Sequence, residues 1–283
     1  MKNNIRQFCF PASVKEAAGL MGRLKAKAVV VAGGTRHTHS ISPAVETVVD
    51  ISDLPLRHIK ADAQGLRIGA LCTIHQLEGS PLLAKWARGV IAKTAGLGSN
   101  ALARSMGTVG GNVVRAHPYN NLPPLFLALD AVAVVSDGTR EKRVPFAAIL
   151  EPAFLRDLGH KFLLIEVRVP AATKSWSGAT QRFALTQSQW ESTAHCVAVV
   201  DLKGGTVRRA ALAVGALLPK AVRLPQAEAA LVGRPANEES ARAAAAAAAR
   251  ELETLTGGAA AKAYGREVAG VLLRRTILEA FHG

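Results

Sequence analysis

A short β-branched run that ends in a pair of glycines constrains the fold of this 283-residue chain more than any other feature. Residues 27–32 (KAVVVA) have the composition of a buried strand, and the glycines that follow permit a tight turn. Residues 14–24 carry apolar side chains at helical spacing, with Ser13 placed to cap the helix. Residues 47–51 (TVVDI) form a further β-branched run. This alternation predicts a small α/β unit over about residues 6–55.

The chain continues with a second, longer alternation of strand-like and helix-like segments. Strands are predicted at residues 66–71, 131–135 and 161–169, and helices at residues 73–77, 82–94 and 125–129. Pro170 ends the last of these strands, because a proline cannot donate a hydrogen bond to a ladder. Residues 99–112 are rich in small side chains, which is typical of backbone that approaches a neighbour or a ligand closely.

The pattern changes again after Pro170. Residues 194–202 and 207–214 are β-like runs joined by a Gly-Gly turn, which predicts a hairpin. Helical sequence follows at residues 225–231, 238–255 and 263–281. We therefore predict a mixed α/β (α+β) chain of two domains. The first spans residues 1–175, with subdomains at about 1–55 and 56–175, and the C-terminal domain spans residues 176–283.

Cysteine and histidine placement gives no pattern typical of a metal or a catalytic site. Cys9, Cys72 and Cys196 are far apart, whereas an iron–sulfur cluster usually takes four closely spaced thiolates. We expect three reduced cysteines and no cluster in this chain. His37 and His39 share one strand face at most, and a metal site needs at least a third ligand. No Ser-His-Asp set or carboxylate pair is evident, so we expect no catalytic residue of its own.

The charge is strongly basic, at a formal +14, but it is dispersed along the chain. Aromatic residues make up only 5% of the chain, so few side chains could stack on bases, and this disfavours a nucleic-acid partner. A phosphate-rich cofactor and acidic partner subunits explain the charge more simply. No apolar run reaches the about 18 residues that a membrane span needs, and we see no signal peptide. We therefore expect a cytoplasmic protein without a membrane span.

Two glycine-rich segments, residues 32–35 (AGGT) and 108–112 (TVGGN), are the candidate binding elements. Glycines without a Cβ expose backbone N–H groups, and such a nest suits a phosphate. Thr108 and Asn112 add side-chain donors to the second segment. Neither segment has the spacing of a dinucleotide-binding or Walker motif. A glycine pair usually just permits a tight turn, but two such segments, each in its own α/β unit, could converge on one pyrophosphate.

The surrounding motifs resemble a known family. Residues 32–35 are similar to its A-G-G-T-D-L, residues 104–112 (RSMGTVGGN) to its R-N-x-G-T-I-G-G-N, and residues 116–124 (AHPYNNLPP) to its A-x-P-x-x-D-L-x-P. Plainer matches occur at residues 49–52, 68–71, 127–131 and 264–275. The family is that of the FAD-binding subunits of molybdenum hydroxylases related to xanthine dehydrogenase and carbon monoxide dehydrogenase. The likeness runs in order along nearly the whole chain.

This resemblance implies a two-subdomain FAD-binding domain of the PCMH type, then a C-terminal domain with a three-stranded antiparallel sheet and helices. FAD would lie between the two subdomains, with its pyrophosphate on the glycine segments and its isoalloxazine toward the C-terminal domain. Trp190 is an alternative to Thr193 as the residue against the flavin ring. The implied cofactor-binding residues are Val30, Val31, Ala32, Gly33, Gly34, Thr35, Arg36, Thr108, Gly110, Gly111, Asn112, Asn121, Leu164 and Thr193.

The function implied is electron transfer inside a larger enzyme. FAD would receive electrons from a [2Fe-2S] small subunit and pass them to an external acceptor, while a molybdopterin large subunit hydroxylates the substrate. A dimer of such heterotrimers is expected. Arg36, Asn121 and Ala184 depart from the family pattern and favour an alternative, a structural subunit that has lost its flavin. A nucleic-acid-binding protein and a standalone flavin oxidase are further alternatives.

Overall fold

The computed structural model describes residues 4–35, 41–114, 117–186 and 191–282. The first sheet has three parallel strands, which are β1 (Gln7–Cys9), β2 (Ala28–Val31) and β3 (Thr47–Asp50), with β3 in the middle. Helix α1 (Val14–Leu24) packs Ala17 and Met21 in one core with Ala28 and Val49 of this sheet. The Ser13 side chain caps it by accepting a hydrogen bond from the Glu16 N–H at 3.1 Å. The predicted helix, strands and cap are confirmed.

The second sheet has five antiparallel strands in the order β4-β5-β8-β6-β7. Its strands are β4 (Ile59–Asp62), β5 (Gly65–Gly69), β6 (Val132–Ser136), β7 (Glu141–Pro145) and β8 (Leu163–Pro170). In the described part of residues 74–158, seven short α-helices accompany it: α2 (Ile74–Glu78), α3 (Val90–Gly96), α4 (Ala101–Met106), α5 (Val109–Val114), α6 (Leu122–Ala128), α7 (Phe146–Ile149) and α8 (Pro152–Leu158). The core between sheet and helices is apolar, with the rings of Phe126 and Phe146 5.3 Å apart.

One predicted helix, residues 82–94, is broken in the structure. Residues Leu83–Gly89 form an irregular 3-10 segment, and the backbone of Ala87 and Arg88 has positive φ. Trp86 explains the break, because its ring is buried and its Nε1–H donates to the Thr173 hydroxyl at 2.9 Å. Helical spacing in the sequence predicted a single helix, but the tertiary contact of one large side chain overrides it.

A buried ion cluster stabilises the second sheet. The carboxylate of Glu166 lies 2.8 Å from His58 Nε2, 2.8 Å from Arg67 Nε and 2.5 Å from Arg168 Nε. Burial by itself raises the pKa of Glu166, but the hydrogen bonds from His58 and the two arginines hold it below its usual value. Glu166 therefore stays ionised at neutral pH and ties together strands β5 and β8 and the segment that precedes β4.

The third sheet has four antiparallel strands in the order β12-β11-β10-β9. They are β9 (Ser177–Phe183), β10 (Ala194–Lys203), β11 (Thr206–Gly215) and the two-residue β12 (Val222–Arg223). The three long strands are those that the resemblance implies, and the Gly204-Gly205 hairpin is confirmed, with positive φ at both glycines. Helices α9 (Pro225–Ala229), α10 (Glu238–Leu255) and α11 (Ala263–His282) complete this part.

The two faces of the third sheet pack against different parts of the chain. Cys196, Ala198 and Val200 belong to a core shared with α10 and α11. Val197 and Val199, which point to the opposite face, belong to the core of the second sheet and its helices. The third sheet is therefore attached to the second, and its edge strand β9 lies close to the helices that follow β5. None of the helices in the described ranges is long and apolar enough to cross a membrane.

Candidate functional site

A cleft of about 980 Å³ receives residues from all three sheets. Its walls come from β2 and the turn after it, from helices α3 to α6, from β8, and from Arg182 of β9. Part of the lining is apolar and includes Met21, Val29, Leu155, Leu158 and Phe162. The volume is at the upper limit of ordinary ligand sites, about 300–1,000 Å³, and is suited to a large ligand.

The structure brings the two glycine segments together in this cleft. A Cβ on Gly33 would overlap the carbonyl oxygen of Met106, which lies two residues before Thr108. Gly34 follows with a φ of +67° and open space around it. The Thr35 hydroxyl lies 3.8 Å from the position that a Cβ on Gly107 would take. The first segment is therefore a true turn, held against the backbone that leads into the second.

The second segment differs from the prediction of an open turn. Thr108 is followed directly by helix α5, so the glycines lie in the first turn of a helix. The Val109 N–H donates to the Cys72 carbonyl at 2.9 Å, and the Gly110 N–H donates to the Ala70 carbonyl at 2.8 Å. These two donors face the end of β5 instead of the cleft. The expectation of exposed N–H groups at these positions was wrong.

The hydroxyl and the carbonyl of Thr108 also form hydrogen bonds within the first turn of this helix. The Thr108 hydroxyl accepts a hydrogen bond from the Gly111 N–H at 3.1 Å, as a helix cap does. The Asn112 N–H donates to the Thr108 carbonyl at 2.9 Å. What this segment offers to a ligand is therefore mainly its side chains and its bare glycine surface.

Two side-chain amide oxygens in the cleft lining are buried without a hydrogen-bond partner among the described residues. They are Oδ1 of Asn112 and Oδ1 of Asn121. Each residue is otherwise held in place: the Asn112 carbonyl accepts from Asn120 Nδ2 at 2.6 Å, and Asn121 Nδ2 donates to the Leu97 carbonyl. A buried acceptor without a partner costs about 1–3 kcal/mol. Both oxygens are therefore suited to a ligand that carries hydroxyl or N–H donors.

The charge of the cleft is positive. The described lining includes Arg104 and Arg182 and contains neither an aspartate nor a glutamate. Arg104 is anchored, because its Nε donates to Glu78 at 3.0 Å and its Nη1 donates to the Ser99 carbonyl at 2.8 Å. A cationic cleft with apolar walls concentrates anionic ligands.

Arg182 is a site residue that the sequence reasoning missed. Its Nε donates to the Ser192 hydroxyl at 2.5 Å, and burial lowers the pKa of its guanidinium. Its Cζ lies 3.3 Å from where a Cβ on Gly98 would be, and Gly98 has a φ of +109°. No motif marks Arg182 in the sequence. The sequence reasoning also missed the apolar part of the lining, although the spacing of Leu155 and Leu158 indicates a helix there.

Most of the residues implied by the resemblance line the cleft. They are Val30, Ala32, Gly33, Gly34, Thr35, Thr108, Gly110, Gly111, Asn112, Asn121 and Leu164. Val31 and Thr193 are not part of the lining. The Val31 carbonyl accepts from the Ile51 N–H at 2.9 Å, and the Thr193 N–H donates to the Phe183 carbonyl at 2.8 Å. Arg36, Trp190, His37 and His39 lie outside the described residues, and Ala184 follows β9 directly.

The buried histidine and cysteine side chains, His195, Cys72 and Cys196, are in their uncharged forms at neutral pH. His195 Nε2 lies 2.9 Å from the Thr180 hydroxyl, and burial, with the nearby charge of Arg182, lowers the pKa of His195 to about 3. Burial raises the pKa of the Cys72 and Cys196 thiols. Within the described ranges, no three His, Cys, Asp or Glu side chains are grouped as a metal site requires.

Comparison with known proteins identifies the class of protein. Residues 3–172 match the family described as the FAD binding domain in molybdopterin dehydrogenase, and residues 186–280 match the CO dehydrogenase flavoprotein C-terminal domain. The first match covers more than half of the chain, so the chain belongs to this family of FAD-binding subunits of molybdenum hydroxylases. It is an oxidoreductase subunit with FAD as its cofactor.

Individual relatives agree with this assignment. The carbon monoxide dehydrogenase medium chain of Hydrogenophaga pseudoflava is 29% identical over 278 residues, which are 94% of each chain. The medium chain of Afipia carboxidovorans is 26% identical over 275 residues, with 94% of this chain and 93% of the relative covered. The chain superimposes on the solved Hydrogenophaga enzyme that lacks the Mo-pyranopterin moiety with a TM-score of 0.88, over 100% of this chain and 99% of that one. The family and fold implied by the resemblance are confirmed.

Proposed function

We propose that this chain is the electron-exit subunit of a three-part molybdenum hydroxylase. It would take electrons from a [2Fe-2S] small subunit and pass them to an external acceptor, while a molybdopterin large subunit converts the substrate. A dimer of heterotrimers in the cytoplasm is the expected assembly. The observation that carries the proposal is the packing of the Gly33 turn against residues 106–107 in a cationic cleft whose described lining has no carboxylate.

The residues of the cleft fit FAD by their chemistry. We assign the pyrophosphate to the turn at Gly33, Gly34 and Thr35, because Gly34 has a positive φ of the kind found in anion-binding backbone nests. We assign the unpartnered oxygens of Asn112 and Asn121 to hydroxyl or N–H donors of the cofactor. When bound, FAD supplies the redox chemistry, and the protein supplies position and electrostatics.

The walls of the cleft would orient the cofactor. Val30 and Leu164 provide apolar surface to the cleft from strands β2 and β8. We place Arg36 close to the pyrophosphate because it follows Thr35 in the sequence, and a guanidinium pairs well with phosphate. We also propose the domain division at residues 175 and 176, which separates the strands of the second sheet from β9.

The alternative, a structural subunit without flavin, fits this cleft poorly. A cleft that had lost its ligand would be free to fill with larger side chains, yet a volume of about 980 Å³ remains open between its walls. It would also leave two buried amide oxygens without a hydrogen-bond partner among the described residues.

Flavin retention tests the proposal. The full chain, co-expressed with its neighbouring subunits and purified natively, is expected to carry about one FAD and to show flavin absorption bands beside those of an iron–sulfur partner. The isolated chain, stripped of cofactor, is expected to take up FAD again. A folded chain that neither retains nor takes up FAD would overturn the proposal. A chain that binds FAD but co-purifies with no iron–sulfur protein would overturn only the part that concerns partners.

A further inference from the structure

Three consecutive carbonyl groups beside the cleft, those of Leu97, Gly98 and Ser99, accept hydrogen bonds from side chains. Asn121 Nδ2 donates to the Leu97 carbonyl. Arg104 Nη1 donates to the Ser99 carbonyl at 2.8 Å and to the Gly98 carbonyl at 3.5 Å. The three residues connect α3 to α4 and belong to neither helix. The two side chains therefore hold a segment that has no regular ladder of its own.

The backbone of this segment has a conformation that needs such support. Gly98 has a φ of +109° and Ser99 has a φ of +58°. A positive φ is uncommon for a residue with a Cβ, and it persists where surrounding contacts determine it. Because Arg104 binds the Ser99 carbonyl, loss of its guanidinium would allow Ser99 to relax. The Leu97 carbonyl, two residues earlier in the same segment, would then move as well.

Arg104 is itself fixed by a second contact. Its Nε donates at 3.0 Å to the carboxylate of Glu78, the last residue of α2. A guanidinium is planar, so its donors keep a fixed geometry relative to one another. The ion pair with Glu78 therefore sets the direction in which Nη1 meets the carbonyls of Gly98 and Ser99. Arg104 links α2 and α4 to the connecting segment.

The side-chain amide of Asn121 has two ends of similar shape and opposite hydrogen-bonding character. Its Nδ2 is committed to the Leu97 carbonyl, which leaves Oδ1 as the end available to a ligand. Oδ1 is buried, has no hydrogen-bond partner among the described residues, and belongs to a residue of the cleft lining. If the Leu97 carbonyl moved, the amide could rotate and present a donor instead of an acceptor. The Leu97 carbonyl therefore determines which kind of ligand group Asn121 can bind.

We propose that Arg104 is a positioning residue for FAD and that it acts through Asn121. Arg104 holds the segment at Ser99, and the segment in turn holds the Leu97 carbonyl against Asn121 Nδ2. Asn121 Oδ1 then accepts a hydrogen bond from a hydroxyl or N–H group of the cofactor. This inference rests on the proposed function. It gives Arg104 a part in cofactor binding without any contact between its guanidinium and the cofactor.

The test is a double-mutant cycle on the affinity of the full chain, stripped of cofactor, for FAD, measured by calorimetric titration. Arg104→Met and Asn121→Ala are each expected to weaken binding about tenfold, the effect of one lost hydrogen bond. The double variant is also expected to bind about tenfold more weakly than wild type, because both changes remove the same hydrogen bond. Arg274→Met is the matched control and should bind FAD normally, since Arg274 of α11 donates from Nε to Glu238 at 2.7 Å and does not line the cleft.

The outcomes separate positioning from other roles of Arg104. Losses that do not add, with normal affinity in Arg274→Met, support the proposal. Losses that multiply to about a hundredfold overturn it, because Arg104 then acts independently of Asn121. Normal affinity in Arg104→Met or in Asn121→Ala, or an equal loss in Arg274→Met, overturns it as well. If Arg104→Met does not fold, Glu78→Gln takes its place in the cycle, since it frees the guanidinium from α2: a loss that disappears beside Asn121→Ala supports the proposal, and no loss or a multiplying loss overturns it. A wild-type chain that binds no FAD would instead be a failure of the proposed function.

Discussion

The two glycine segments look alike in sequence but have different structural roles. In the first, Gly33 lies against a neighbouring carbonyl and Gly34 adopts a positive φ, so the backbone turns sharply at the cleft. In the second, Gly110 lies in the first turn of a helix, and its N–H bonds to the end of β5. One pair of glycines makes a tight turn in the lining of the cleft, and the other lets a helix pack closely on the end of a strand. A glycine pair alone therefore does not predict a phosphate nest.

Gly33→Ala is expected to have the largest effect on this comparison. The new methyl group would overlap the Met106 carbonyl, so the two segments must move apart at a cost of about 3 kcal/mol. Both the melting temperature and FAD retention should fall. Thermal unfolding and flavin content of the purified chain measure the two effects. Normal stability and full FAD content in this variant would show that the segments do not pack as described.

Gly34→Ala tests conformation without any clash. No atom of the described residues lies within 4 Å of the added Cβ, so the cost comes from the positive φ and should be about 1–2 kcal/mol. Gly34→Asn is the matched control, because asparagine tolerates this backbone region better than alanine. Urea unfolding of both variants measures the difference. Equal destabilisation by alanine and asparagine would argue against a left-handed turn at Gly34.

The two threonine hydroxyls sharpen the comparison further. Thr108→Val removes the cap on α5 and should lower the free energy of unfolding by about 1 kcal/mol. Thr35→Val, at an exposed position in the cleft lining, should leave stability nearly unchanged and weaken FAD binding. Loss of one hydrogen bond of about 1.4 kcal/mol corresponds to about tenfold in affinity. Calorimetric titration with FAD measures the affinity of both variants, and urea unfolding measures their stability. Weaker FAD binding in Thr108→Val together with lower stability in Thr35→Val would contradict this assignment.

Gly110→Ala is expected to have the smallest effect. Its Cβ would lie 3.1 Å from the Ala70 carbonyl oxygen, so a shift of a few tenths of an ångström relieves it. We expect destabilisation of about 1 kcal/mol with little change in FAD affinity, because this glycine serves packing. A variant of normal stability that binds FAD much more weakly would contradict this and would indicate that the second segment binds phosphate.

The sequence predicted local structure well where local forces decide it. Helix α10 has the predicted limits, 238–255, because alanine-rich sequence favours helix at every position and Asn237 caps it. The break at Trp86 was missed, since it depends on a hydrogen bond to Thr173, which is 87 residues away in the chain. Arg182 was missed for a related reason. Only the pairing of β9 with β10 and the packing of that sheet bring it to the cleft.

The most direct test of the account is a structure of the full chain with FAD bound. The account predicts the pyrophosphate at the Gly33-Gly34-Thr35 turn, with the side-chain oxygens of Asn112 and Asn121 within hydrogen-bonding distance of cofactor donors. Backbone N–H groups of Val109 and Gly110 should still bond to the end of β5. A pyrophosphate bound by those N–H groups, or a cofactor lying outside the cleft, would contradict it.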